Sequence, residues 1–206
     1  MAKKTLDIGR TFDPATSTTI NEHTKVPKPK IISKAEWGGK ESSGTMRSQF
    51  PHVLTVHHAG SPKPLLAGED TKKMVRNLQA YGWKEKNWPD IPYHFVIDRD
   101  GNIFEARDPM KVGDTNTAYD PSGKLLIMAM GNTDLQAPSE KQLDAMCDLM
   151  AWASDYYNIP PETVRGHMEY TSTGCPGKYL YPYVVSGYFE GEVRKRLADA
   201  YAKKKE

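Results

Sequence analysis

The segment YHFVIDRDGNIFEAR, residues 93–107, constrains the fold more than any other stretch of this 206-residue chain. Two runs rich in β-branched and aromatic residues flank Asp100 and Gly101, a pair that readily forms a tight turn. The pattern predicts a β-hairpin. HVLTVHH at 52–58 and KLLIMAM at 124–130 are short, apolar runs that predict two buried strands.

Helical patterns lie between and after these strands. In EDTKKMVRNLQAYGW, Asp70 is a predicted N-cap and Gly82 a predicted C-terminal cap around an apolar stripe. Ser139 and Gln142 predict a capping box for a second helix, and a last amphipathic helix is predicted at 188–203. Because strands and helices are mixed without strict alternation, the predicted class is α/β, a single domain with a mixed central β-sheet flanked by helices.

The predicted domain follows a segment of different composition. Residues 1–30 are rich in Thr, Pro and Lys and lack a steady periodicity, which predicts an extended or partly disordered N-terminal arm. Residues 31–206 are then expected to form one domain, without an apolar run long enough to span a membrane. A net charge of +2 gives no case for nucleic acid binding. Nothing indicates a coiled coil, so a monomer is expected.

The chain contains two cysteines, Cys147 and Cys175, which excludes a disulfide framework but leaves one bond possible. Cys147 shares one face of the second predicted helix with Leu143 and Met146, and it is expected to be core packing. Cys175 instead stands in a loop rich in Gly, Thr and Pro, eight positions after His167. Histidine nitrogen and cysteine thiolate suit Zn²⁺, and a catalytic zinc uses three protein ligands.

A third candidate ligand lies at the end of the predicted strand 52–58. His57 and His58 are consecutive, so their side chains point to opposite faces of a strand. One of them can join His167 and Cys175 at a metal, while the other packs or lines the cleft. The spacing does not choose between them, and on the pattern alone a His pair near a strand end is more often satisfied by ordinary hydrogen bonds.

Several segments, taken in order, resemble the zinc-dependent N-acetylmuramoyl-L-alanine amidases of the phage-lysozyme and peptidoglycan-recognition-protein family. They are SKAEWGG, VHHAG, NWPDIPYHFVIDRDGNIFEAR, MGN and RGHMEYTSTGCPG, and they span residues 31–182. The resemblance implies that family's fold and its reaction. In that reaction, the amide bond between the N-acetylmuramoyl lactyl group and L-alanine of the peptidoglycan stem peptide is hydrolysed, so peptidoglycan or a muropeptide is the implied partner.

The resemblance also implies roles for particular residues. His57, His167 and Cys175 would hold a Zn²⁺ ion, and Tyr93 would be a catalytic residue close to the metal-bound water. Thr173 stands where phage lysozymes carry lysine and many recognition proteins carry threonine, and it is the second implied catalytic residue.

Trp88 and Arg107 flank the predicted hairpin where recognition proteins contact the stem peptide. The implied role of Arg107 is to favour stems that carry diaminopimelate, because a guanidinium can pair bidentately with the extra carboxylate. A surface salt bridge for Arg107 and core packing for Trp88 are the alternatives.

Cys175 bears on the choice between an enzyme and a binding protein, since non-catalytic recognition proteins of the family typically lack the cysteine ligand. Its presence favours an active amidase. Two alternatives stay open: a module that binds peptidoglycan without cutting it, and an intracellular amidase that recycles soluble anhydro-muropeptides. The implied reaction favours a periplasmic or secreted location, although the chain shows no signal peptide.

Overall fold

A computed structural model gives the structure of the chain and describes residues 4–5, 11–12, 20–66 and 68–202. The main sheet contains β3 (Ile31–Ile32), β4 (Val53–His58), β5 (Phe95–Ile97), β6 (Ile103–Glu105), β7 (Lys124–Ala129) and β8 (Arg165–Gly166). Two shorter strands, β1 (Lys4–Thr5) and β2 (Thr11–Phe12), form a separate antiparallel pair. The order in the main sheet is β3-β6-β5-β7-β4-β8. Its β5–β6 pair is antiparallel and its other pairs are parallel, which confirms the predicted mixed sheet.

The helices are α1 (Thr71–Glu85), α2 (Glu140–Tyr156), α3 (Tyr181–Val185) and α4 (Tyr188–Ala202), with short 3-10 helices at Pro161–Thr163 and His167–Glu169. They flank a sheet whose two faces carry separate cores. On β7, Leu125 and Ile127 belong to the core that α2 and α4 share, whereas Met128 belongs to the core that contains Val75 of α1 and Trp37. Adjacent residues therefore serve opposite faces, as strand geometry requires. No helix in the described part of the chain is long and apolar enough to cross a membrane.

The predicted hairpin is confirmed. Strands β5 and β6 pair antiparallel, and Gly101 adopts a φ of +83° between them. The Asp98 carboxylate accepts hydrogen bonds from the backbone N–H groups of Asp100 (3.0 Å) and Asn102 (2.9 Å), so the turn is held by its own side chain. Both predicted buried strands are also present, as β4 and β7.

Helix α1 starts where the sequence predicts, because the Asp70 side chain accepts a hydrogen bond from a backbone N–H of the first turn. The predicted C-terminal cap at Gly82 is wrong, since the helix continues to Glu85. Gly82 is buried, and a Cβ there would lie 3.2 Å from the carbonyl oxygen of Asp90. The glycine therefore allows close packing, and Asn87, with a φ of 54°, takes the left-handed conformation after the helix.

Helix α2 is capped by Ser139, whose hydroxyl accepts a hydrogen bond of 3.1 Å from the backbone N–H of Gln142. The second half of the predicted capping box is replaced by a tertiary contact. The Gln142 amide donates to the carbonyl oxygens of Ile97 (2.8 Å) and Met130 (3.1 Å), which fastens the helix to two strand ends. Cys147 is fully buried in the core as predicted, and both cysteines are free thiols. Helix α4 matches the last predicted helix, whose final residue lies outside the described range.

Half of the predicted N-terminal arm, residues 1–3, 6–10 and 13–19, lies outside the described part of the chain. Residues 20–30 contain neither helix nor strand, but their first half is attached to α2. The buried Asp155 carboxylate accepts hydrogen bonds from Asn21 Nδ2 (3.0 Å) and from the backbone N–H groups of Lys25 (2.7 Å) and Val26 (2.9 Å). Val26 also enters the α2 core. Packed contacts therefore begin upstream of the predicted boundary at residue 31.

This attachment predicts a large stability effect for Asp155→Ala. The carboxylate also accepts a hydrogen bond of 2.7 Å from Tyr201 Oη of α4, so the substitution removes an acceptor shared by two chain segments, residues 21–26 and α4. We expect the free energy of unfolding in urea to fall by about 2–4 kcal/mol. Asp148→Ala on the same helix is the control: Asp148 is half-exposed and pairs with Arg196, so a loss under ~1 kcal/mol is expected. Equal losses of unfolding free energy in the two variants would contradict the role of Asp155 in attaching residues 20–30 to α2.

Candidate metal centre

The pairing of β4 with β8 places two histidines side by side. The strands are parallel, with Thr55 opposite Arg165 and Val56 opposite Gly166. The next residue on each side is a histidine, and the ring centroids of His57 and His167 are 4.6 Å apart. Both residues stand where a strand reaches its carboxyl end, which is where parallel sheets commonly form ligand sites.

The face of the strand decides which member of the histidine pair joins this site. Leu54 and Val56 of β4 belong to the core under α2 and α4. Because side chains alternate, His57 points to the other face of the sheet. The structure thus brings His57, and not His58, next to His167.

Cys175 reaches the same place through the loop that follows β8. The backbone N–H of Met168 donates to the Cys175 carbonyl oxygen at 2.9 Å, which folds the loop back on itself. The backbone N–H of His58 lies 3.4 Å from Cys175 Sγ, and Sγ is 3.5 Å from Nδ1 of His57. One ligand atom from each of His57, His167 and Cys175 lies within 4.8 Å of the other two. No other group of three histidine, cysteine or acidic residues in the described ranges comes together in this way.

The three side chains fit a zinc ion. Zn–N distances of ~2.0 Å and Zn–S distances of ~2.3 Å at a tetrahedral angle correspond to an N···S separation of about 3.5 Å, and Nδ1 of His57 lies 3.5 Å from Sγ of Cys175. With Nδ1 of His57 facing Sγ, its Nε2 is buried and has no hydrogen-bond partner among the described residues, so the fit rests on the Nδ1–Sγ separation and on the donor types. Two imidazoles and one thiol form a donor set that borderline-soft metals prefer.

The metal-free cluster is electrically neutral at pH 7. Burial holds the pKa of His57 well below its usual value, and the nearby His167 lowers it further. Burial likewise lowers the pKa of His167. Burial raises the pKa of the Cys175 thiol to about 12, and the hydrogen bond from the His58 backbone opposes this only in part. Both imidazoles are therefore ready to act as ligands, while the thiol must lose a proton first.

His58 lies on the opposite face and fastens the cysteine loop. Its Nδ1 accepts a hydrogen bond of 3.2 Å from the backbone N–H of Thr133, whose hydroxyl donates to the carbonyl oxygen of Pro176. Gly177 has a φ of +90°, and a Cβ there would lie 2.4 Å from Thr133 Oγ1 and 2.8 Å from His58 Nδ1. Only glycine fits this position.

The candidate ligand cluster, formed by His57, His167 and Cys175, opens into a cavity of about 190 Å³. The predicted catalytic residues also line this cavity. Tyr93 lies in its wall, and the ring centroids of Tyr93 and His57 are 5.1 Å apart. Burial raises the pKa of the Tyr93 phenol, so it keeps its proton at neutral pH. Thr173 Oγ1 accepts a hydrogen bond of 3.3 Å from the backbone N–H of Cys175 and also lines the cavity. Trp88 forms a further part of the wall.

Arg107 lies behind the cavity wall instead of in it. Its side chain is 1% exposed, and its nitrogens donate to the carbonyl oxygens of Ile91, Val112 and Asp90 and to the Asp114 carboxylate. Asp114, in contrast, does line the cavity. A direct bond from Arg107 to a stem-peptide carboxylate, as the resemblance implies, would require the guanidinium to leave these partners.

One side of the cavity is supplied by a segment that no sequence motif marks. Asp114, Thr115, Asn116 and Thr117 all line it, in the loop between β6 and β7. The available signal was weak. A polar run directly before a buried strand is typical of many surface loops, and the partners of this run lie in distant segments.

Comparisons with known proteins agree with this geometry. A sequence profile described as N-acetylmuramoyl-L-alanine amidase matches residues 47–178. Peptidoglycan-recognition protein SD of Drosophila simulans is 30% identical over 169 residues, which cover 80% of this chain and 87% of that protein. The crystal structure of Drosophila peptidoglycan recognition protein SD matches with a TM-score of 0.68 at 26% identity, covering 77% of this chain and 94% of that one. A mutant of Drosophila peptidoglycan recognition protein LB in complex with tracheal cytotoxin matches with a TM-score of 0.65 at 26% identity, covering 76% and 93%.

The raised pKa of Cys175 predicts that metal binding releases a proton. The thiol is protonated in the metal-free protein up to about pH 11, whereas a metal ligand must be a thiolate. The two histidines are already neutral above pH 7 and contribute no proton. Between about pH 7.5 and 9 we therefore expect at least one proton released per Zn²⁺, from the thiol, and an affinity that rises at least about tenfold per pH unit.

Calorimetric titration of Zn²⁺ in buffers of different ionisation enthalpy measures the released proton. Cys147→Ala is a matched control, because burial also raises the pKa of this thiol to about 12 and it does not belong to the cluster. The control should release the same proton as the wild type. A wild-type affinity that is independent of pH would contradict a thiol ligand.

Proposed function

The chain belongs to the N-acetylmuramoyl-L-alanine amidase family, and we propose that it is a zinc-dependent cell-wall amidase. It hydrolyses the amide bond between the lactyl group of N-acetylmuramic acid and L-alanine of the stem peptide, giving a free carboxylic acid and a free α-amine. The observation that carries this proposal is the convergence of His57, His167 and Cys175 at the end of a cavity. The similarity to peptidoglycan-recognition proteins supports the substrate class.

The chain's residues suit a catalytic site better than a structural one. A structural zinc takes four protein ligands, whereas a catalytic zinc takes three and leaves one position open. A zinc ion bound by these three side chains would supply a Lewis acid that polarises the scissile carbonyl and lowers the pKa of water from 15.7 towards ~7. The described residues offer three ligand atoms at this place and a cavity beside them.

Tyr93 is the proposed donor to the oxyanion that develops on the scissile carbonyl. Its phenol is protonated at neutral pH because burial, aided by Cys175 nearby, raises its pKa. Its ring lies against His57, so the hydroxyl is held close to the ligand cluster. Donors that are fixed before the reaction stabilise the transition state without reorganising.

Thr173 is the proposed second, weaker donor. Its oxygen accepts from the backbone of Cys175, and its own proton remains available for the cavity. Because Thr173 is only two residues before Cys175 and bonds to its backbone, this contact also fixes the position of the hydroxyl relative to the candidate ligands. A hydroxyl placed in this way can bind either the carbonyl oxygen or the departing amine.

The cavity accommodates the reacting bond and leaves the rest of the substrate outside. Its volume of about 190 Å³ is below the ~300–1,000 Å³ of pockets that enclose a whole ligand. We propose that Trp88 provides a flat wall for the stem peptide. Arg107 contributes to substrate binding through Asp114, which it holds at the cavity wall.

Digestion of isolated cell walls tests the proposed reaction. The zinc-loaded protein is incubated with purified sacculi, and the soluble products are identified by mass spectrometry. Free stem peptides that begin with L-alanine, together with glycan chains carrying free lactyl carboxylates, are the expected products. Retention of the protein on the walls without released peptides would indicate a binding module. Cleavage of soluble anhydro-muropeptides alone would indicate an amidase that recycles fragments.

Cys175→Ala is expected to abolish both metal binding and cleavage. Two histidines alone bind zinc far more weakly than a set that includes a thiolate, and the loss removes the negative ligand. We expect zinc content below about one tenth of the wild-type stoichiometry after dialysis, and no detectable release of stem peptide. Cys147→Ala should retain both. Full activity in metal-free Cys175→Ala would disprove the proposed mechanism.

Tyr93→Phe separates catalysis from metal binding. The phenyl ring retains the packing against His57 but removes the donor. We expect the zinc stoichiometry to be unchanged and kcat to fall by about 10²–10³-fold, the usual effect of losing one oxyanion donor. Inductively coupled plasma analysis and steady-state kinetics on a soluble muropeptide measure the two quantities. An unchanged kcat would remove Tyr93 from the catalytic residues.

A further inference from the structure

The loop between β6 and β7 contacts the candidate ligand cluster from one side of the cavity. Thr117 Oγ1 lies 2.9 Å from Nε2 of His167, and Thr115 Oγ1 lies 2.7 Å from Thr117 Oγ1. Thr115 Oγ1 also accepts a hydrogen bond of 3.1 Å from the backbone N–H of Thr117. His167 is 7% exposed, so bulk water offers its ring few competing partners. These contacts form a short chain of hydrogen bonds that ends on a candidate metal ligand.

The chemistry of a ligand histidine fixes the direction of this chain. A neutral imidazole that binds a metal through one nitrogen carries its proton on the other. Because Nε2 of His167 is next to Thr117, Nδ1 is the nitrogen that is left for a metal. Nε2–H then donates to Thr117 Oγ1, and the Thr117 hydroxyl donates to Thr115 Oγ1. The Nε2–H group, the Thr117 hydroxyl and the Thr117 backbone N–H each then have an acceptor.

The loop is itself held in place by buried contacts. Arg107 donates to the carbonyl oxygen of Val112 and to the Asp114 carboxylate, directly before Thr115. The guanidinium is 1% exposed and also donates to two carbonyl oxygens from the segment before β5. The two threonines therefore stand on a backbone that is anchored to the sheet, which is what a precise contact to a ligand requires.

We propose that Thr117, supported by Thr115, is a positioning residue for the metal site: it selects the Nε2–H tautomer of His167 and fixes the ring so that Nδ1 faces the metal. The inference rests on the proposed function in that it assumes Zn²⁺ as the ion. Partners of this kind typically change metal affinity by about 10–100-fold when they are removed.

Thr117→Val and Thr117→Ser test the role of the hydroxyl directly. Valine has nearly the shape of threonine but cannot accept the Nε2–H bond, whereas serine can. Zinc affinity of the metal-free protein is measured by competition with a chromophoric chelator, which does not depend on enzymatic activity. We expect binding to weaken about 10–100-fold in Thr117→Val and to stay within about threefold of wild type in Thr117→Ser. Thr115→Val should show a smaller loss of the same sign.

A control variant and two further measurements separate a positioning role of Thr117 from a general loss of structure. Thr24→Val is the matched control, since Thr24 donates to the Asn21 carbonyl oxygen near the N-terminus, and its affinity should equal that of the wild type. The visible spectrum of the Co²⁺-substituted protein should shift in Thr117→Val and not in Thr117→Ser, because it reports ligand geometry. Thermal unfolding of the metal-free variants checks that each one folds.

The zinc affinities also decide whether the inference or the proposed function fails. A Thr117→Val affinity within about twofold of wild type would overturn the inference, as would equal losses in Thr117→Val and Thr117→Ser. If the wild-type protein failed to bind Zn²⁺, the proposed function would fail and this inference with it. If wild type and Thr117→Val bound zinc equally and cleaved muropeptides equally, only this inference would fail.

Discussion

The parallel pairing of β4 with β8 is the constraint on which the rest of the site depends. Backbone hydrogen bonds fix Val56 opposite Gly166, and the two histidines follow on the same face of the sheet. A slip of one residue would turn His57 into the core under α2, because side chains alternate along a strand. Gly166 makes this close pairing possible, since a Cβ there would lie 2.9 Å from the ring of Tyr181. The register of β4 against β8 therefore determines whether the candidate ligands can meet.

The sequence predicts the parts of this arrangement that depend on local chemistry. The hairpin turn, the caps at Asp70 and Ser139 and the two buried strands all follow from neighbouring residues. The choice between His57 and His58 does not, because it depends on which face of β4 meets α2, and both faces of VLTVHH begin with an apolar residue and end in a histidine. The predicted cap at Gly82 was wrong for a similar reason. A glycine that ends a helix and a glycine that allows close packing look the same in the local sequence. Residue chemistry made Cys175 a candidate ligand beside His167, and the family resemblance then implied that His57 completes the set.

Burial produces the protonation states that the proposed chemistry needs, and it does so for several groups at once. It lowers the pKa values of His57 and His167, so both rings are neutral ligands, and it raises the pKa of Tyr93, so the phenol remains a donor. The same burial opposes ionisation of Cys175. A metal ion offsets that cost, since the thiolate then faces a positive charge instead of an apolar wall. The cluster is consequently better suited to hold a metal than to exist as three free side chains.

Hydrogen bonds to the candidate ligands and to the loop that carries Cys175 bear on the choice between a metal site and a surface that only binds peptidoglycan. A surface that only recognises peptidoglycan requires a groove of the correct shape, and it places no demand on the outer nitrogen of a histidine. Here Thr117 reaches Nε2 of His167, while His58 and Thr133 hold the loop that carries Cys175. Arg107, buried and paired with Asp114, belongs to the same support. Hydrogen bonds of this kind orient side chains that share one ion, so they support the enzyme that we propose.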